Sequence, residues 1–212
     1  MVKKLILAVS FITLSQLLPL LGKPALMIHY KNIIIMLANI AIWATQPPIS
    51  KKETLDNKSR DKFSVLLIII MSILSVAVSE IDWAYFSNSA GNILLSSVGL
   101  VIVVTGIIFR VWAIRTLGKH FTPTVQIKED HQLITSGPYS LVRHPSYLGA
   151  MWAIVGTSVF LNSIYGIIIS FLGMFYAYYI RIAVEEKALA ELFGDEYRKY
   201  QKRVKKLIPF IW

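Results

Sequence analysis

Long apolar runs separated by polar segments dominate this sequence. The runs share a nearly unbroken series of apolar side chains and fall at about residues 5–22, 32–46, 63–79, 93–114, 147–161 and 164–182. Such runs are typical of membrane helices, although several are short for a bilayer core about 30 Å thick. Only Asn162 and Ser163 separate the last two runs, which predicts a tight helical hairpin. The pattern therefore predicts an all-α, polytopic membrane helical bundle with about five to six transmembrane helices.

Three polar segments interrupt or follow the runs, at residues 47–62, at 115–146 and from about 183 onward. The middle segment, about thirty residues long, is longer than a plain connector needs. After Arg181, apolar residues return at helical spacing, which predicts an amphipathic C-terminal helix that is broken at Gly194, with Asp195 capping its second part. This helix would cover the middle segment. We therefore divide the chain into N-terminal transmembrane helices, residues 1–114, and a region that carries the chemistry, residues 115–212.

Basic residues cluster on one side of the predicted spans. The net charge is +10, and with a cytoplasmic N-terminus 20 of the 22 Lys and Arg residues fall on the cytoplasmic side. Only Lys23 and Lys31 fall outside, where a loop at residues 80–92 carries acids and no bases. The positive-inside rule favours this orientation, with both termini cytoplasmic. The basic residues line no amphipathic face, so we expect no nucleic-acid partner.

The first apolar run follows Lys3 and Lys4, as in a signal peptide, but we expect a retained anchor. The run is long for a signal core and ends near Pro19 and Gly22 without a small-residue cleavage motif. The expected location is a multi-pass membrane protein of the plasma membrane in a prokaryotic host, or of the endoplasmic reticulum in a eukaryotic one. The chain has no Cys, which excludes disulfides and thiolate metal sites.

The residues just before the fifth run combine basic side chains with a proline. His144 precedes Pro145, which favours an extended His144 and a helix that begins at the proline. The first turn of that helix would present open backbone N–H groups near Ser146 and Tyr147 to an anion. Taken alone, a His-Pro helix start beside an Arg143 topology anchor is more often structural than functional.

Arg181 and Glu185 lie one helical turn apart at the end of the last run. An Arg at a membrane edge is suited to a bidentate grip on a carboxylate, and an ion pair within the helix is the structural alternative. His120 and His131 lack a partner at metal-ligand spacing, so we expect no metal site. No Gly-rich nucleotide-binding motif is present either. The runs show no ionisable residue mid-span, which disfavours a transporter.

Read together, these residues resemble the isoprenylcysteine carboxyl methyltransferase family of integral-membrane enzymes. The resemblance covers roughly residues 115–212. It rests on Gln126, residues 131–139, Arg143-His144-Pro145-Ser146-Tyr147-Leu148-Gly149, Arg181, Glu185-Glu186, residues 193–197, Tyr200 and residues 203–210. It implies transfer of a methyl group from S-adenosyl-L-methionine to the carboxylate of a lipidated, isoprenylcysteine-like substrate at the cytoplasmic membrane face. Residues 115–212 would then form the methyltransferase region.

The resemblance also implies roles for individual residues. The implied cofactor-binding residues are Gln126, His131, Gln132, Leu133, Ile134, Tyr139, His144, Pro145, Ser146, Tyr147 and Glu185. Arg181 would bind the substrate, and Arg181 and Glu185 are the implied catalytic residues. The implied partners are a lipid-like small molecule or a prenylated protein C-terminus, together with membrane lipids.

Three alternative functions share some of these features. A phospholipid or other amine N-methyltransferase shares the Arg-His-Pro-type loop, and Glu185 or Glu186 would then act as the base that an ammonium group requires. An NADPH-dependent membrane sterol-type reductase carries a similar Arg-His motif. A small transporter or a structural membrane protein is the non-enzymatic alternative.

Overall fold

The computed structural model describes residues 2–45, 59–87, 91–118, 121, 133–209 and 211–212, and for residues 2–5 and 59–62 it describes the backbone alone. Six α-helices follow one another along these residues. They are α1 (Val2–Ile12), α2 (Tyr30–Ala44), α3 (Ser59–Ile81), α4 (Ile93–Leu117), α5 (Pro145–Phe160) and α6 (Ile164–Arg203). The described residues contain no strand, and their one β-bridge pairs Val142 with Lys205 in parallel. The all-helical prediction is therefore confirmed.

Short π-helical and 3-10 segments extend or connect these helices. The π-helical segments are Thr13–Leu17, after α1, and Asp82–Phe86, after α3, and the 3-10 segments are Leu18–Leu20, Pro24–Ile28 and Gly137–Ser140. Among the described residues, three helical stretches are long and apolar enough to cross a membrane: Phe63–Phe86, Ile93–Leu117 and Ile164–Arg203. Ile6–Leu20 and Tyr30–Ala44 are shorter apolar helices. We predicted five to six membrane spans, and the spans beyond these three stay a prediction.

The predicted hairpin between the last two runs is confirmed. α5 and α6 are joined by residues 161–163, where Asn162 adopts a left-handed conformation with φ of 61°. The Asn162 side chain donates to Ser96 Oγ at 2.6 Å, which ties the turn to α4. Ser163 Oγ accepts from the Gly166 N–H at 2.8 Å and so caps α6. We call this end of the bundle the turn end, and the opposite end, where α5 begins, the site end.

The structure corrects the predicted loop at residues 80–92. α3 continues through the π-helical segment to Phe86, and Glu80 and Asp82 are buried inside the bundle. Asp82 Oδ2 accepts from Ser163 Oγ at 2.7 Å, so this acid stabilises the turn and does not face solvent. Trp83, the next residue, is buried in an apolar cluster that also contains Phe160 and Leu161, so this segment is part of the bundle.

α4 and α5 approach each other closely because glycines face each other across their contact. A methyl group added to Gly106 would lie 2.7 Å from the backbone N of Ala153, and one added to Gly149 would lie 2.6 Å from the Gly106 carbonyl oxygen. Gly156 meets the backbone of Val103 in the same way, at 2.8 Å. Small residues allow such backbone contact between membrane helices. The contact places the C-terminal part of α4 beside the first turn of α5.

α6 is longer than the last apolar run, because the predicted amphipathic helix continues directly from the membrane segment. It is interrupted at Gly194, where φ is 53° and ψ is −123°, which confirms the predicted break. Beyond this kink, Tyr197 and Tyr200 are buried with Val204, and Leu133 packs against them. The end of the polar segment at residues 115–146 is thus covered by the C-terminal part of α6, as predicted.

Candidate functional site

The first turn of α5 begins at Pro145, as predicted. His144 before it has φ of −122° and ψ of 59°, a non-helical conformation that agrees with its position before a proline. The N–H groups of Tyr147 and Leu148 both donate to the His144 carbonyl oxygen at 3.2 Å. We predicted open N–H groups near Ser146 and Tyr147 for an anion, and for Tyr147 this is wrong, because the helix turn itself uses this donor.

Arg110 of α4 lies buried against this first turn. Its Nη1 donates to the Ser146 carbonyl oxygen at 2.9 Å, and its Nε donates to Thr45 Oγ1 at 3.0 Å. Lys31 and Glu80 are further buried ionisable residues within helical segments. Lys31 and Glu80 lie at helix ends and Arg110 lies in the C-terminal third of α4, so the expectation that no ionisable residue lies mid-span stays a prediction. The burial of Arg110 could have been suspected from the sequence, because it is a lone Arg inside an otherwise apolar run. We interpreted it only as a residue that marks the cytoplasmic side.

Tyr147 connects α5 to the two residues predicted to be catalytic. Its hydroxyl donates to Glu185 Oε2 at 2.6 Å and accepts from Arg181 Nε at 3.1 Å. Arg181 is buried, and its Nη1 donates to Ser64 Oγ of α3 at 3.3 Å. The structure thus brings Arg181, Tyr147 and Glu185 together in one hydrogen-bonded chain. The Glu185 side chain remains 27% exposed, so it borders the open side of this chain.

Aromatic rings form one wall beside the chain. The rings of His144 and Tyr147 stack with centroids 5.8 Å apart, and those of Tyr147 and Tyr178 stack at 4.9 Å. His144 Nδ1 lies 3.9 Å from Glu185 Oε2. The His144 and Tyr178 rings are buried in this stack, and the Tyr147 ring is half-buried beside the Glu185 carboxylate. A ring next to a carboxylate is an arrangement suited to a ligand that carries both a ring and a positive charge.

Arg143 and Glu186 form a second, more deeply buried layer. The Arg143 Nε and Nη2 atoms lie 2.7 and 2.6 Å from Glu186 Oε1, and the two side chains are 5% and 9% exposed. His144 Nε2 lies 3.3 Å from the same oxygen. Both residues belong to the family motif, and Glu186 was an alternative candidate for a base, but neither was predicted to be a cofactor-binding or substrate-binding residue. Consecutive residues point about 100° apart around a helix, so only the register of α6 decides which glutamate meets which partner.

Tyr139 joins the site to the C-terminal part of α6. Its hydroxyl donates to the Ala113 carbonyl oxygen at 3.3 Å, and its own carbonyl oxygen accepts from the Tyr200 hydroxyl at 2.6 Å. Burial, with a smaller contribution from the Glu185 carboxylate, raises the pKa of Tyr139, so its phenol stays protonated and serves as a donor.

The remaining predicted site residues lie in different surroundings. Pro145 and Ser146 are buried at the start of α5, and Leu133 and Ile134 are half-buried before the 3-10 segment. The other three, Gln126, His131 and Gln132, lie outside the described residues. Within the described ranges, no group of three or more His, Asp or Glu residues could hold a metal ion.

Comparison with known proteins identifies the type of chain that carries this site. The model of the isoprenylcysteine carboxyl methyltransferase (ICMT) family matches residues 98–191. The chain is 33% identical over 159 residues to the Arabidopsis thaliana protein-S-isoprenylcysteine O-methyltransferase B, which covers 72% of this chain and 81% of that relative. It is 36% identical over 151 residues to the Saccharomyces cerevisiae protein-S-isoprenylcysteine O-methyltransferase, which covers 70% of this chain and 61% of that relative.

The fold agrees with a solved structure of a related protein. The eukaryotic intramembrane Ras methyltransferase ICMT (isoprenylcysteine carboxyl methyltransferase), solved without a monobody, aligns over 96% of this chain and 75% of that chain. The TM-score is 0.58 and the sequence identity is 28%. The chain belongs to the isoprenylcysteine carboxyl methyltransferase family.

Proposed function

We propose that this protein methylates the carboxylate of an isoprenylcysteine-like substrate, with S-adenosyl-L-methionine as the methyl donor. Family membership supports this reaction class, and the relatives named above are O-methyltransferases. The observation that carries the proposal is the chain of Arg181, Tyr147 and Glu185, which joins a cation and a carboxylate across α5 and α6. The aligned segment spans 61% of the yeast relative, so the activity of the whole enzyme is itself part of the proposal.

The residues at the site fit the chemical groups of S-adenosyl-L-methionine. This donor carries a sulfonium, an ammonium group and an adenine ring, and when bound it supplies an activated methyl group. The partly exposed Glu185 carboxylate is suited to its positive charge, and the half-buried Tyr147 ring, which His144 supports from behind, is suited to a flat ring.

The proposed cofactor-binding set is broader than these three residues. Tyr139 supports the site from the side of Ala113 and Tyr200. The rest of the set comprises Pro145, Ser146, Leu133, Ile134, Gln126, His131 and Gln132. Pro145 and Ser146 lie between His144 and Tyr147 in the sequence. Leu133 and Ile134, with Gln126, His131 and Gln132, belong to the polar segment before the site.

Arg181 is the proposed substrate-binding residue. A guanidinium group can orient a carboxylate through paired hydrogen bonds, and burial strengthens this interaction because little water screens it. The acceptor carboxylate is already ionised at neutral pH, so the reaction needs no general base. The protein's contribution is then to align the carboxylate oxygen with the methyl group and to keep water away from that oxygen. Glu185 and Tyr147 hold Arg181 in position for this task.

The membrane arrangement is also part of the proposal. Arg110, Arg143 and Arg181 all lie at the site end, and the distribution of basic residues favours a cytoplasmic location for this end, with both termini on the same side. We assign the methyltransferase region to residues 115–212 and the supporting transmembrane helices to residues 1–114. The host membrane is the plasma membrane in a prokaryote or the endoplasmic reticulum in a eukaryote.

Labelled methyl transfer tests the proposal against its alternatives. Membranes that contain the protein are incubated with S-adenosyl-L-methionine labelled in its methyl group, and the products are treated with base. A carboxyl methyl ester releases its label as methanol, which is the expected result. Label that resists base and migrates with phospholipid would indicate an amine N-methyltransferase. Failure to bind S-adenosyl-L-methionine together with binding of NADPH would indicate a reductase.

A further inference from the structure

The two adjacent glutamates of α6 have separate sets of partners. Glu185 accepts from the Tyr147 hydroxyl and remains partly exposed. Glu186 is buried, and both of its oxygens are occupied. Oε1 contacts Arg143 and His144, while Oε2 accepts from Gln201 Nε2 at 3.4 Å and lies 3.6 Å from Lys206 Nζ. The Glu186 carboxylate is therefore saturated by groups of the protein itself.

The partners of Glu186 belong to two segments that are far apart in the sequence. One is the loop before α5, which provides Arg143 and His144. The other is the end of α6 together with the C-terminal segment at residues 204–208, which provide Gln201 and Lys206. The Arg143 N–H donates to the Lys205 carbonyl oxygen at 2.8 Å, and the His144 N–H donates to the Lys206 carbonyl oxygen at 3.0 Å. The Arg143 Nη1 atom also donates to the carbonyl oxygens of Gln201, at 3.1 Å, and Val204. Arg143 thus joins the loop to the C-terminal segment through both backbone and side chain.

The C-terminal segment is itself packed onto α6 further along. The N–H groups of Leu207 and Ile208 both donate to the Trp212 carbonyl oxygen at 2.8 Å. The Trp212 ring lies against Phe175, with centroids 5.1 Å apart, and against Tyr179, at 5.8 Å. A segment held at both ends in this way can restrain the loop that carries His144.

We propose that Glu186 is a positioning residue that fastens the C-terminal segment to the Arg143-His144 loop and fixes the His144 ring, without contacting the methyl donor. A carboxylate only accepts hydrogen bonds, so its contact with His144 requires a proton on Nε2. The inference rests on the proposed function only in that it assigns His144 to the cofactor site. Glu185 then contacts the ligand, while Glu186 holds the Arg143-His144 loop and the C-terminal segment in place around the ligand.

The adjacent glutamates provide a matched pair of variants, Glu186→Gln and Glu185→Gln, in the full chain in lipid nanodiscs. Hydrogen exchange is measured at the backbone amides of Arg143 and His144. In Glu186→Gln these amides exchange about tenfold faster or more, because a charge-assisted contact of the buried frame is lost. In Glu185→Gln they exchange at the wild-type rate.

The ¹⁵N signals of the His144 ring provide a second readout that a loss of stability alone would not change. His144→Asn assigns these signals among the four histidines. The wild type and Glu185→Gln keep a protonated Nε2, whereas in Glu186→Gln the Nε2 and Nδ1 signals shift toward a mixture of tautomers. Wild-type exchange and unchanged His144 signals in Glu186→Gln would overturn the proposal.

A second variant keeps the test decisive if Glu186→Gln does not fold. Arg143→Lys retains a positive charge for Glu186 but removes the guanidinium contacts with Gln201 and Val204. We expect faster exchange at Arg143 and His144 with unchanged His144 ring signals, and wild-type exchange would overturn the proposal. These readouts need no methyl donor. A wild-type protein that fails to bind S-adenosyl-L-methionine would therefore refute the proposed function and leave the result for Glu186 standing.

Discussion

The two ends of this bundle bury polar groups in different ways. At the site end, Arg143, Arg181 and Glu186 are buried, and each has charged or hydrogen-bonding partners. At the turn end, Gln16 and Glu80 are completely buried. In the part of the chain that the structure describes, neither side chain has a hydrogen-bond partner at its oxygen or nitrogen atoms.

Gln16 and Glu80 are each one helical turn from residues of the same buried apolar cluster. Gln16 lies one turn before Leu20, and Glu80 lies one turn from both Val76 and Ala84. These three apolar residues belong to the same buried cluster.

A buried polar group without a partner costs free energy, whereas a paired network rigidifies its surroundings. At the site end the buried charged groups are paired and therefore fixed in position, although the Tyr197 hydroxyl is unpaired among the described residues. At the turn end, Asp82 is paired with Ser163, whereas Gln16 and the charged group of Glu80 carry a cost in stability.

The largest effect is expected from breaking the buried pair at the site end. Arg143→Met leaves Glu186 charged and buried, and we expect it to lower the free energy of unfolding by about 3–5 kcal/mol. Denaturant unfolding in detergent measures this change. Arg198→Met is the matched control, because the pair of Arg198 with Asp195 is 71% and 86% exposed and should contribute less than about 1 kcal/mol. Equal effects of the two variants would contradict the distinction between the pairs.

Arg181→Lys tests the proposed function of the same end. Lysine keeps the charge but loses the planar fork, so we expect methyl transfer to fall by about 100-fold or more. The affinity for S-adenosyl-L-methionine, measured by calorimetry, should stay near the wild-type value. Arg198→Lys serves as the exposed control. Wild-type turnover in Arg181→Lys would remove Arg181 from the substrate-binding role.

The close contact of α4 with α5 connects the two ends and can be disturbed near the site. In Gly149→Ala the added methyl group would lie 2.7 Å from the Arg110 backbone N, which forces the helices apart. We expect a loss of about 1–3 kcal/mol of stability and weaker binding of S-adenosyl-L-methionine. At Gly173 a methyl group would meet only the flexible Met71 side chain, at 3.2 Å. Gly173→Ala should therefore leave both quantities nearly unchanged, and a similar loss there would refute the packing argument.

An effect of the opposite sign is expected at the turn end. Glu80→Met removes an unpaired buried carboxyl group and should raise the free energy of unfolding by about 1–3 kcal/mol. Thermal unfolding followed by tryptophan fluorescence measures the change. A midpoint lower than that of the wild type would show that Glu80 has a partner that stabilises the folded protein, and the contrast between the two ends would then be lost.

Much of the fold follows from the sequence pattern. The apolar runs predict the helices, Pro145 predicts the start of α5, and Gly194 predicts the kink in α6. Each of these depends on local chemistry that a short window of sequence contains. The continuation of α3 to Phe86 could not be predicted in this way, because Glu80 and Asp82 read as loop residues and become buried only through contacts with distant segments.

The site was only partly predictable for the same reason. His144 and Glu185, which are proposed to face the ligand, were identified through resemblance to a family motif. Arg143 and Glu186 belong to the same motif, but their pairing was not predicted, because it joins residues 43 positions apart and depends on the rotation of α6. A shift of one residue, about 100° around the helix, would exchange the partners of the two glutamates.

The most direct test of the central claim, that the site end methylates a carboxylate, compares two acceptors. One is a farnesylated cysteine with a free carboxylate, and the other is the same compound with a carboxamide. Purified wild-type protein in nanodiscs is supplied with labelled S-adenosyl-L-methionine, and base-released methanol is counted. We predict release from the free acid only, and its loss in Arg181→Lys. No methyl ester on the free acid, or equal labelling of the amide, would contradict the account.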